Sequence, residues 1–283
     1  MTAQNKKPNL NTKNEITWCP GCGNYLVLNS VKTALANLIA SGIKQEELVM
    51  VTGIGCHAKI FDYLNISGIY GLHGRVLPTM LGIKLGNPNL SVIGFAGDGD
   101  TYSEGMEHFI HACRYNADMA FLVFDNRAFS LTTGQSTPTS PLGYKNKAEP
   151  LGEFNFPINP LKLALVSGAT FVARCNAKDM NETSRIIEQA VKHRGFAFVE
   201  LLEDCLIFNP SIKEVEGKMY KLDEKKRGMD EAMKIAGEWD YNSKSGKIPL
   251  GIFYREEKPT LEDKWPQLSD LKKKKVGWKG LEK

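Results

Sequence analysis

The chain has 283 residues, of which 42% are hydrophobic and 24% charged, and its formal net charge is +4. These are the values of a globular protein, and the weak charge argues against nucleic acid or an anionic membrane as a partner. The sequence has no apolar run of the ~18 residues that a membrane span needs, and residues 1–14 lack the apolar segment of a signal peptide. We therefore expect a cytoplasmic protein without a membrane partner.

Short apolar runs alternate with amphipathic helical patterns between residues 18 and 210. The predicted elements are helix 25–39, strand 48–51, helix 76–85, strand 91–96, helix 103–115, strand 119–124, helix 160–166, strand 170–173, helix 180–193 and strand 196–202. Continuous apolar strands joined by helices are typical of a parallel sheet covered on both faces. The sequence therefore predicts a doubly wound α/β domain, whose ligands bind beyond the carboxyl ends of the strands.

Three segments differ from this pattern. Residues 1–17 form a polar N-terminal arm, and residues 127–153 are irregular, which in a loop of this length usually indicates function or disorder. Residues 211–283 are charged and helical in places, and they have no strong strand pattern. We expect them to be a C-terminal extension that wraps the domain of residues 18–210 or a partner subunit.

A glycine-rich segment, Gly-Asp-Gly-Asp at residues 97–100, follows one predicted strand, and Asn126 follows the next. Glycine allows backbone N–H groups and a helix N-terminus to approach a diphosphate closely. Mg²⁺ prefers oxygen ligands, which Asp98 and Asn126 supply. Because a right-handed crossover returns the chain to the adjacent strand, both side chains are expected at one sheet edge. The pattern predicts a magnesium–diphosphate site, and the alternative is a simple turn with Asn126 capping a loop.

The pair Cys19 and Cys22, separated by Pro-Gly, is ambiguous by itself. It is compatible with half of a zinc site, with two ligands of an iron–sulfur cluster, or with a thiol–disulfide motif. The last is disfavoured because a polar arm, and not a strand, precedes it. In a cytoplasmic protein metal ligation or redox chemistry is a better explanation of six cysteines than disulfides are.

The other four cysteines divide by position. Cys56 and Cys205 each follow a predicted strand and are expected at the ligand edge of the sheet. Cys175 also follows a predicted strand and competes with Cys205 as a ligand. Cys113 lies within a predicted helix, where a buried and unreactive thiol is expected.

Six segments in order carry a family resemblance. They are 18–23 (Trp-Cys-Pro-Gly-Cys-Gly), 53–56 (Gly-Ile-Gly-Cys), 73–75 (His-Gly-Arg), 82–88 (Gly-Ile-Lys-Leu-Gly-Asn-Pro), 97–100 (Gly-Asp-Gly-Asp) and 131–139 (Leu-Thr-Thr-Gly-Gln-Ser-Thr-Pro-Thr). Together they resemble the β subunit of 2-oxoacid:ferredoxin oxidoreductases over residues 18–210. Leu206 and Ile207 depart from the pattern, since the family usually has proline and threonine after its late cysteine.

The resemblance implies a sheet of the thiamine-diphosphate-binding type and a set of cofactor ligands. It implies that Asp98, Asn126 and the backbone carbonyl of Ala128 bind Mg²⁺. It implies that Cys19, Cys22, Cys56 and Cys205 bind a [4Fe–4S] cluster. The residues expected to contact thiamine diphosphate are Gly55, Cys56, His73, Gly97, Asp98, Gly99, Asp100, Asn126, Ala128 and Leu131.

The resemblance also implies an activity and partners. The family converts a 2-oxoacid and coenzyme A to an acyl-CoA and CO₂ and passes the electrons through the cluster to ferredoxin. An α subunit supplies the carboxylate that activates the cofactor's pyrimidine ring. The particular 2-oxoacid stays open, with 2-oxoglutarate or pyruvate as examples.

Three residues are candidates for catalysis. His73 and Arg75 lie in a glycine-rich loop and are expected to contact the diphosphate or the substrate, unless they make structural hydrogen bonds. Lys59 is a candidate for binding a carboxylate or a coenzyme A phosphate, unless it is an ordinary surface lysine.

Two other functions remain open at this point. One is a subunit of a non-oxidative thiamine diphosphate enzyme, which needs no cluster. The other is a zinc-stabilised scaffold subunit without catalysis, in which the Cys-x-x-Cys pair would bind zinc.

Overall fold

A computed structural model describes residues 8–243 and 246–280 of the chain. In these ranges eight strands form one sheet in the order β2-β1-β3-β4-β6-β5-β8-β7. The strands are β1 (Leu48–Thr52), β2 (Ser67–Tyr70), β3 (Ser91–Gly97), β4 (Met119–Asp125), β5 (Phe171–Asn176), β6 (Phe196–Leu202), β7 (Met219–Lys221) and β8 (Ile248–Arg255). Strands β1 to β6 are parallel, as the continuous apolar runs of β1, β3, β4, β5 and β6 predict.

Helices cover both faces of the sheet. They are α1 (Asn24–Ala40), α2 (Ile60–Tyr63), α3 (Val76–Gly86), α4 (Met106–Tyr115), α5 (Pro160–Val166), α6 (Met180–Lys192), α7 (Ser211–Val215), α8 (Met229–Ala236), α9 (Leu261–Lys264) and α10 (Pro266–Lys274). Helices α1 and α6 pack on one face, and α3, α4, α5 and α8 pack on the other. The doubly wound α/β prediction is therefore confirmed.

The expectation that residues 211–283 lack strong strands is wrong. Strand β8 pairs antiparallel with β5, and β7 pairs parallel with β8, so this segment extends the main sheet. Pro249 and Gly251 interrupt the apolar run of β8, and Gly251 has a φ of 124°. Proline and glycine inside a strand weaken its sequence signal, and the pairing with β5 also has a register shift.

Strand β2 is a second element that the sequence did not predict. It is a short edge strand, and all four of its residues are exposed. Short, exposed edge strands do not need the apolar pattern that marks a buried strand, and this one includes Gly68.

A buried ion pair connects the C-terminal segment to the centre of the sheet. The Nε of Arg174 in β5 donates to Oε2 of Glu200 in β6 at 2.5 Å, and both side chains are fully buried. The hydroxyl of Tyr241 donates to Glu200 Oε1 at 2.7 Å, and the guanidinium of Arg174 lies 5.0 Å from the ring centroid of Trp239. Removal of one partner from such a pair costs about 3–5 kcal/mol, because a buried charge is left behind. The C-terminal segment is thus built into the domain.

Among the residues that the structure describes, none lies in a helix both long and apolar enough to cross a bilayer.

Candidate active site

A cleft lies at the carboxyl-terminal edge of the parallel strands, where ligands of this fold class bind. Its walls come from the loops after β1, β3 and β4 and from the loop around residue 73. The lining residues are Ile54, Gly55, Cys56, His57, His73, Gly97, Asp98, Gly99, Asp100, Asn126, Ala128, Phe129, Ser130, Leu131 and Thr132. The structure therefore brings together all ten residues that were predicted to contact thiamine diphosphate.

A larger groove lies along β8 and is lined by residues 222–227 and 251–257. It contains none of the glycine, cysteine or magnesium-ligand candidates, so its size does not make it the better candidate for the active site.

The Gly-Asp-Gly-Asp segment passes close to neighbouring parts of the chain. A Cβ atom at Gly99 would lie 2.3 Å from Cε1 of Phe129, and one at Gly97 would lie 2.8 Å from Nδ1 of His57. Neither position has room for a side chain. The segment leads directly into a π-helical turn, Asp100–Glu104, an element often found at functional sites. Glycine is thus required for the backbone to line the cleft closely.

Asp98 is buried and is held by hydroxyl groups from the long loop. Thr137 Oγ1 donates to Asp98 Oδ2 at 2.6 Å, and Thr139 Oγ1 lies 3.0 Å from the same oxygen. Burial raises the pKa of Asp98 to about 6, and these hydrogen bonds oppose the rise. A divalent cation beside the carboxylate would favour its charged form further. Thr137 and Thr139 belong to segment 131–139, which carries part of the family resemblance, and the structure brings both to Asp98.

Arg127 connects this hydroxyl-bearing loop to the C-terminal segment. Its Nε donates to the carbonyl of Thr139 at 2.8 Å, and its Nη2 donates to the carbonyl of Tyr241. Arg127 and Tyr241 both adopt positive φ angles, which are uncommon outside glycine. The C-terminal segment therefore helps to hold Thr139 against Asp98.

Asn126 presents its amide oxygen next to the carbonyl of Ala128. The Oδ1 of Asn126 accepts hydrogen bonds from the backbone N of Ala128 at 3.2 Å and from Ser130 Oγ at 3.0 Å. The same Ser130 hydroxyl lies 3.3 Å from the carbonyl oxygen of Ala128. Two of the three predicted Mg²⁺ ligands thus offer hard oxygen atoms close to one point. With the Asp98 carboxylate in the same cleft, this oxygen set fits Mg²⁺.

Asp100 holds two loops of the cleft together. Its Oδ1 accepts a hydrogen bond from the backbone N of Gly74 at 2.6 Å. His73 Nδ1 lies 3.3 Å from Oδ1, and His57 Nε2 lies 3.4 Å from Oδ2. Sequence reasoning missed His57, although it directly follows Cys56 in a glycine-rich loop that was already assigned to the site. Asp100 therefore stabilises the wall of the cleft.

The three predicted catalytic residues occupy different positions. His73 lines the cleft, and its side chain is 32% exposed. Arg75 is exposed and donates to the carbonyls of Gly74 and Glu104 at 3.2 and 3.0 Å. Lys59 donates to Thr17 Oγ1 at 2.8 Å. Neither Arg75 nor Lys59 belongs to the cleft lining, so the structure does not bring the three together.

The Cys-x-x-Cys loop packs beside the loop that carries Cys56. Trp18 is buried between Tyr25 and Tyr63, and its indole Nε1 donates to the carbonyl of Cys56 at 2.7 Å. Gly21 has a φ of 77°, as a tight turn between the two cysteines requires. Trp18 therefore fixes one loop against the other.

Four thiols lie close enough to affect one another. Burial raises the pKa of Cys22 to about 12, and the proximity of Glu203, Cys56 and Cys205 adds to the rise. Burial also raises the pKa of Cys56 to about 11, with further contributions from Cys205, Glu203 and Cys19, while Lys59 lowers it. The four cysteines assigned to the cluster by resemblance are thus neighbours in the fold.

Cys175 and Cys113 lie apart from this group. Strand β5 extends to Asn176, so Cys175 is within the strand and is buried in the core. The prediction that Cys175 follows a strand is therefore wrong. Cys113 is buried in α4, as expected.

Over residues 8–243 and 246–280, no three His, Cys, Asp or Glu side chains converge as the ligands of one metal ion. A [4Fe–4S] cluster makes a different demand, because each of its four thiolates binds a different iron atom. The neighbouring positions of Cys19, Cys22, Cys56 and Cys205 are compatible with that larger group.

A glycine-lined cleft with magnesium-type ligands at the edge of a doubly wound sheet defines a thiamine-diphosphate-binding protein. Residues 53–201 match the family described as thiamine pyrophosphate enzyme, C-terminal TPP binding domain. Residues 211–270 match the family that describes the C-terminal part of the pyruvate ferredoxin oxidoreductase beta subunit.

Full-length relatives narrow the class. The chain is 41% identical to the 2-oxoacid:ferredoxin oxidoreductase subunit beta of Saccharolobus solfataricus over 257 residues, which cover 85% of this chain and 82% of the relative. It is 33% identical to the 2-oxoglutarate synthase subunit KorB of Methanocaldococcus jannaschii, over 89% of this chain and 92% of the relative. The chain belongs to the β subunits of 2-oxoacid:ferredoxin oxidoreductases, as its motifs predicted, and is therefore a subunit of an oxidoreductase.

A solved structure agrees with this assignment. The chain matches 2-oxoglutarate:ferredoxin oxidoreductase from Magnetococcus marinus, a structure with 2-oxoglutarate, coenzyme A and succinyl-CoA bound. The TM-score is 0.87 at 30% identity, and the match covers 97% of this chain and 93% of the other.

Proposed function

We propose that this chain, together with an α subunit, catalyses the oxidative decarboxylation of a 2-oxoacid with coenzyme A and passes the electrons through a [4Fe–4S] cluster to ferredoxin. One observation carries the proposal. The segment Gly55-Cys56-His57 lines the cleft and also contributes a thiol to the cysteine group. A diphosphate–metal site and a cluster bound on the two sides of this segment would be neighbours, as electron transfer between them requires.

In this proposal Asp98, Asn126 and the carbonyl of Ala128 hold Mg²⁺, and the glycine backbone at residues 97 and 99 receives the diphosphate. Thr137 and Thr139 keep the Asp98 carboxylate in place, and Ser130 orients the Asn126 amide. When bound, thiamine diphosphate supplies the nucleophilic carbon and the electron sink for loss of CO₂, and the cluster accepts electrons one at a time.

The three polar side chains predicted to be catalytic receive separate roles. His73 reaches the cleft and is assigned to contact with the diphosphate or the substrate. Arg75 holds the loop of His73 against Glu104. Lys59 is assigned to the cysteine group, where its positive charge favours the thiolate of Cys56. The α subunit is proposed to supply the carboxylate that activates the cofactor's pyrimidine ring.

For the substrate we propose 2-oxoglutarate first and pyruvate second. The similar structure from Magnetococcus marinus contains 2-oxoglutarate and succinyl-CoA, whereas the relative from Saccharolobus solfataricus is named for 2-oxoacids in general. A cytoplasmic location belongs to the proposal as well, because ligand thiols such as the exposed Cys19 stay reduced in that compartment.

The test is anaerobic purification followed by assays of iron, acid-labile sulfide, zinc and thiamine diphosphate in one sample. We expect about four irons and four sulfides per chain together with bound thiamine diphosphate. The complex with the α subunit should then reduce ferredoxin when given a 2-oxoacid and coenzyme A. Zinc without sulfide would overturn the proposal in favour of a zinc-stabilised subunit. Thiamine diphosphate without iron would point to a non-oxidative enzyme.

A further inference from the structure

Glu203 lies between the magnesium–diphosphate cleft and the cysteine group. It is the first residue after β6, it is 3% exposed, and its backbone N donates to the carbonyl of Asp125 at 3.1 Å. Asp125 is the last residue of the neighbouring strand β4, directly before Asn126. The backbone of Glu203 is therefore held at the end of the sheet.

The Glu203 side chain contacts two amides from different parts of the chain. The Nδ2 of Asn126 donates to Glu203 Oε1 at 3.4 Å. The end of the Asn24 amide lies 3.1 Å from Oε1 and 3.2 Å from Oε2, and it donates to both oxygens when its NH₂ group is assigned to that side. Asn24 is buried and begins helix α1, two residues after Cys22. A Cβ at the intervening Gly23 would lie 2.8 Å from the Cβ of Glu203, so the packing there is close.

Both described contacts of Glu203 are with amide groups, and an amide has one donor end and one acceptor end. Burial raises the pKa of the Glu203 carboxyl to about 8, so its acceptor role rests on these contacts and not on its charge. Nδ2 of Asn126 donates to Glu203, so Oδ1 of the same amide faces the opposite direction, toward Ser130 and the carbonyl of Ala128. By the same rule Glu203 fixes the orientation of Asn24. One buried carboxylate thus sets the amide of a proposed metal ligand and the helix start beside Cys22.

We propose that Glu203 is a positioning residue that holds the Cys19–Cys22 loop and the metal-ligand amide of Asn126 in one fixed arrangement. This inference rests on the proposed function, because it concerns the relation between the two proposed cofactors. Glu203 itself does not line the cleft. Through its contacts with both, a shift of the Cys19–Cys22 loop would also shift the Asn126 amide.

The substitutions Glu203→Gln and Asn24→Ala test this coupling in the anaerobically purified α–β complex. Glutamine has the same shape, but its NH₂ group is a donor, so the amide of Asn126 or of Asn24 must turn its oxygen toward it. We expect Glu203→Gln to weaken Mg²⁺-dependent binding of thiamine diphosphate about tenfold, as loss of a metal ligand's hydrogen-bond partner does. It should also change the EPR spectrum of the reduced cluster, and lower kcat while the KM for the 2-oxoacid changes little.

Asn24→Ala provides the sharper readout, because Asn24 is not a cofactor ligand. We expect it to weaken thiamine diphosphate binding in the wild-type background but to add little in the Glu203→Gln background. Asp204→Asn is the matched control, since its carboxylate accepts from the backbone N of Lys213 and pairs with Lys178. It removes a neighbouring charge and should leave thiamine diphosphate affinity unchanged.

The results separate two kinds of failure. Wild-type complex without iron and sulfide would overturn the proposed function itself. The role of Glu203 alone would be overturned if the wild-type complex has its cluster but the effects of Asn24→Ala and Glu203→Gln are additive. The same conclusion would follow if neither substitution changes the cofactor affinity or the EPR spectrum. Melting temperatures of all variants show whether a change reflects unfolding.

Discussion

The magnesium–diphosphate cleft and the cysteine group lie side by side but are prepared in different ways. In the cleft, the side chains of Asp98 and Asn126 are held by hydroxyl groups of Thr137 and Ser130. In the cysteine group, packing and the hydrogen bond from the Trp18 indole position the loops, while burial raises the pKa of the Cys22 and Cys56 thiols to about 12 and about 11. The oxygen ligands are thus oriented in advance, whereas the Cys22 and Cys56 thiols stay protonated until a metal displaces their protons.

The largest expected effect comes from removing one thiol. Cys22→Ser should lower iron from about four atoms to less than about one per chain and abolish ferredoxin reduction, since a four-iron cluster needs its thiolates. Thiamine diphosphate binding should persist, because Cys22 does not line the cleft. Cys113→Ala, which removes a buried thiol elsewhere, should keep its iron. Equal iron contents of the wild type and Cys22→Ser would show that Cys22 is not a cluster ligand and would contradict the assignment of separate cofactors to the two regions.

The converse change is Asp98→Asn in the cleft. We expect the Kd for thiamine diphosphate in the presence of Mg²⁺ to rise about 100-fold, the upper end of losses seen when metal-site partners are removed. Iron and sulfide should remain at wild-type levels. Isothermal titration of the cofactor and iron analysis of the same preparation check both statements. Asp270→Asn, on an exposed turn of α10, serves as the control carboxylate.

A smaller effect is expected from Thr137→Val, which removes a hydrogen bond to Asp98 but no ligand. The Mg²⁺ concentration for half-maximal cofactor binding should rise about tenfold. Thr33→Val, at an exposed position of α1, is the matched control. An unchanged Mg²⁺ requirement would mean that the carboxylate is not oriented by its hydroxyl partner.

The smallest expected effect is on stability, and it comes from a residue that lies outside both regions. Burial lowers the pKa of His193 from its ordinary value of 6.5 to about 4, and the charge of Arg255 contributes. Between these values the unfolded chain binds a proton that the folded chain does not, so stability falls as pH falls from 6.5 to 4. His193→Gln should reduce this loss by about 1–2 kcal/mol.

Melting temperatures of the holoenzyme at pH 7.5 and pH 5 measure this effect. The wild type should lose about 4 °C more than His193→Gln on acidification. His108→Gln, at a partly exposed position, should behave like wild type. An identical pH response of wild type and His193→Gln would exclude His193 as a source of the acid sensitivity.

The strands buried on both faces could be predicted from the sequence, because their apolar runs are continuous. For β6 the predicted limits, 196–202, are those of the structure. Strand β5 was predicted to end at residue 173 but continues to Asn176, and this difference moved Cys175 from the ligand edge into the core. Strand β8 escaped notice because Pro249 and Gly251 break its pattern.

The cleft could be predicted because its chemistry is local in sequence. Gly-Asp-Gly-Asp and Asn126 each follow a strand, and topology alone brings such residues together. Glu203 could not be found in this way, since in the sequence it is one of two adjacent acidic residues. Its contacts with Asn24 and Asn126 join residues far apart in the chain and arise only in the folded sheet.

The hydrogen bond from the Trp18 indole to the Cys56 carbonyl has a consequence for cofactor assembly. Segments that are distant in sequence lose conformational entropy when they are brought together, and here contacts within the protein offset part of that loss. In a zinc finger the metal must drive folding, and the chain without it is unstructured. This chain has a hydrophobic core of its own, so a cluster lost to oxygen should leave a folded scaffold that can be reloaded.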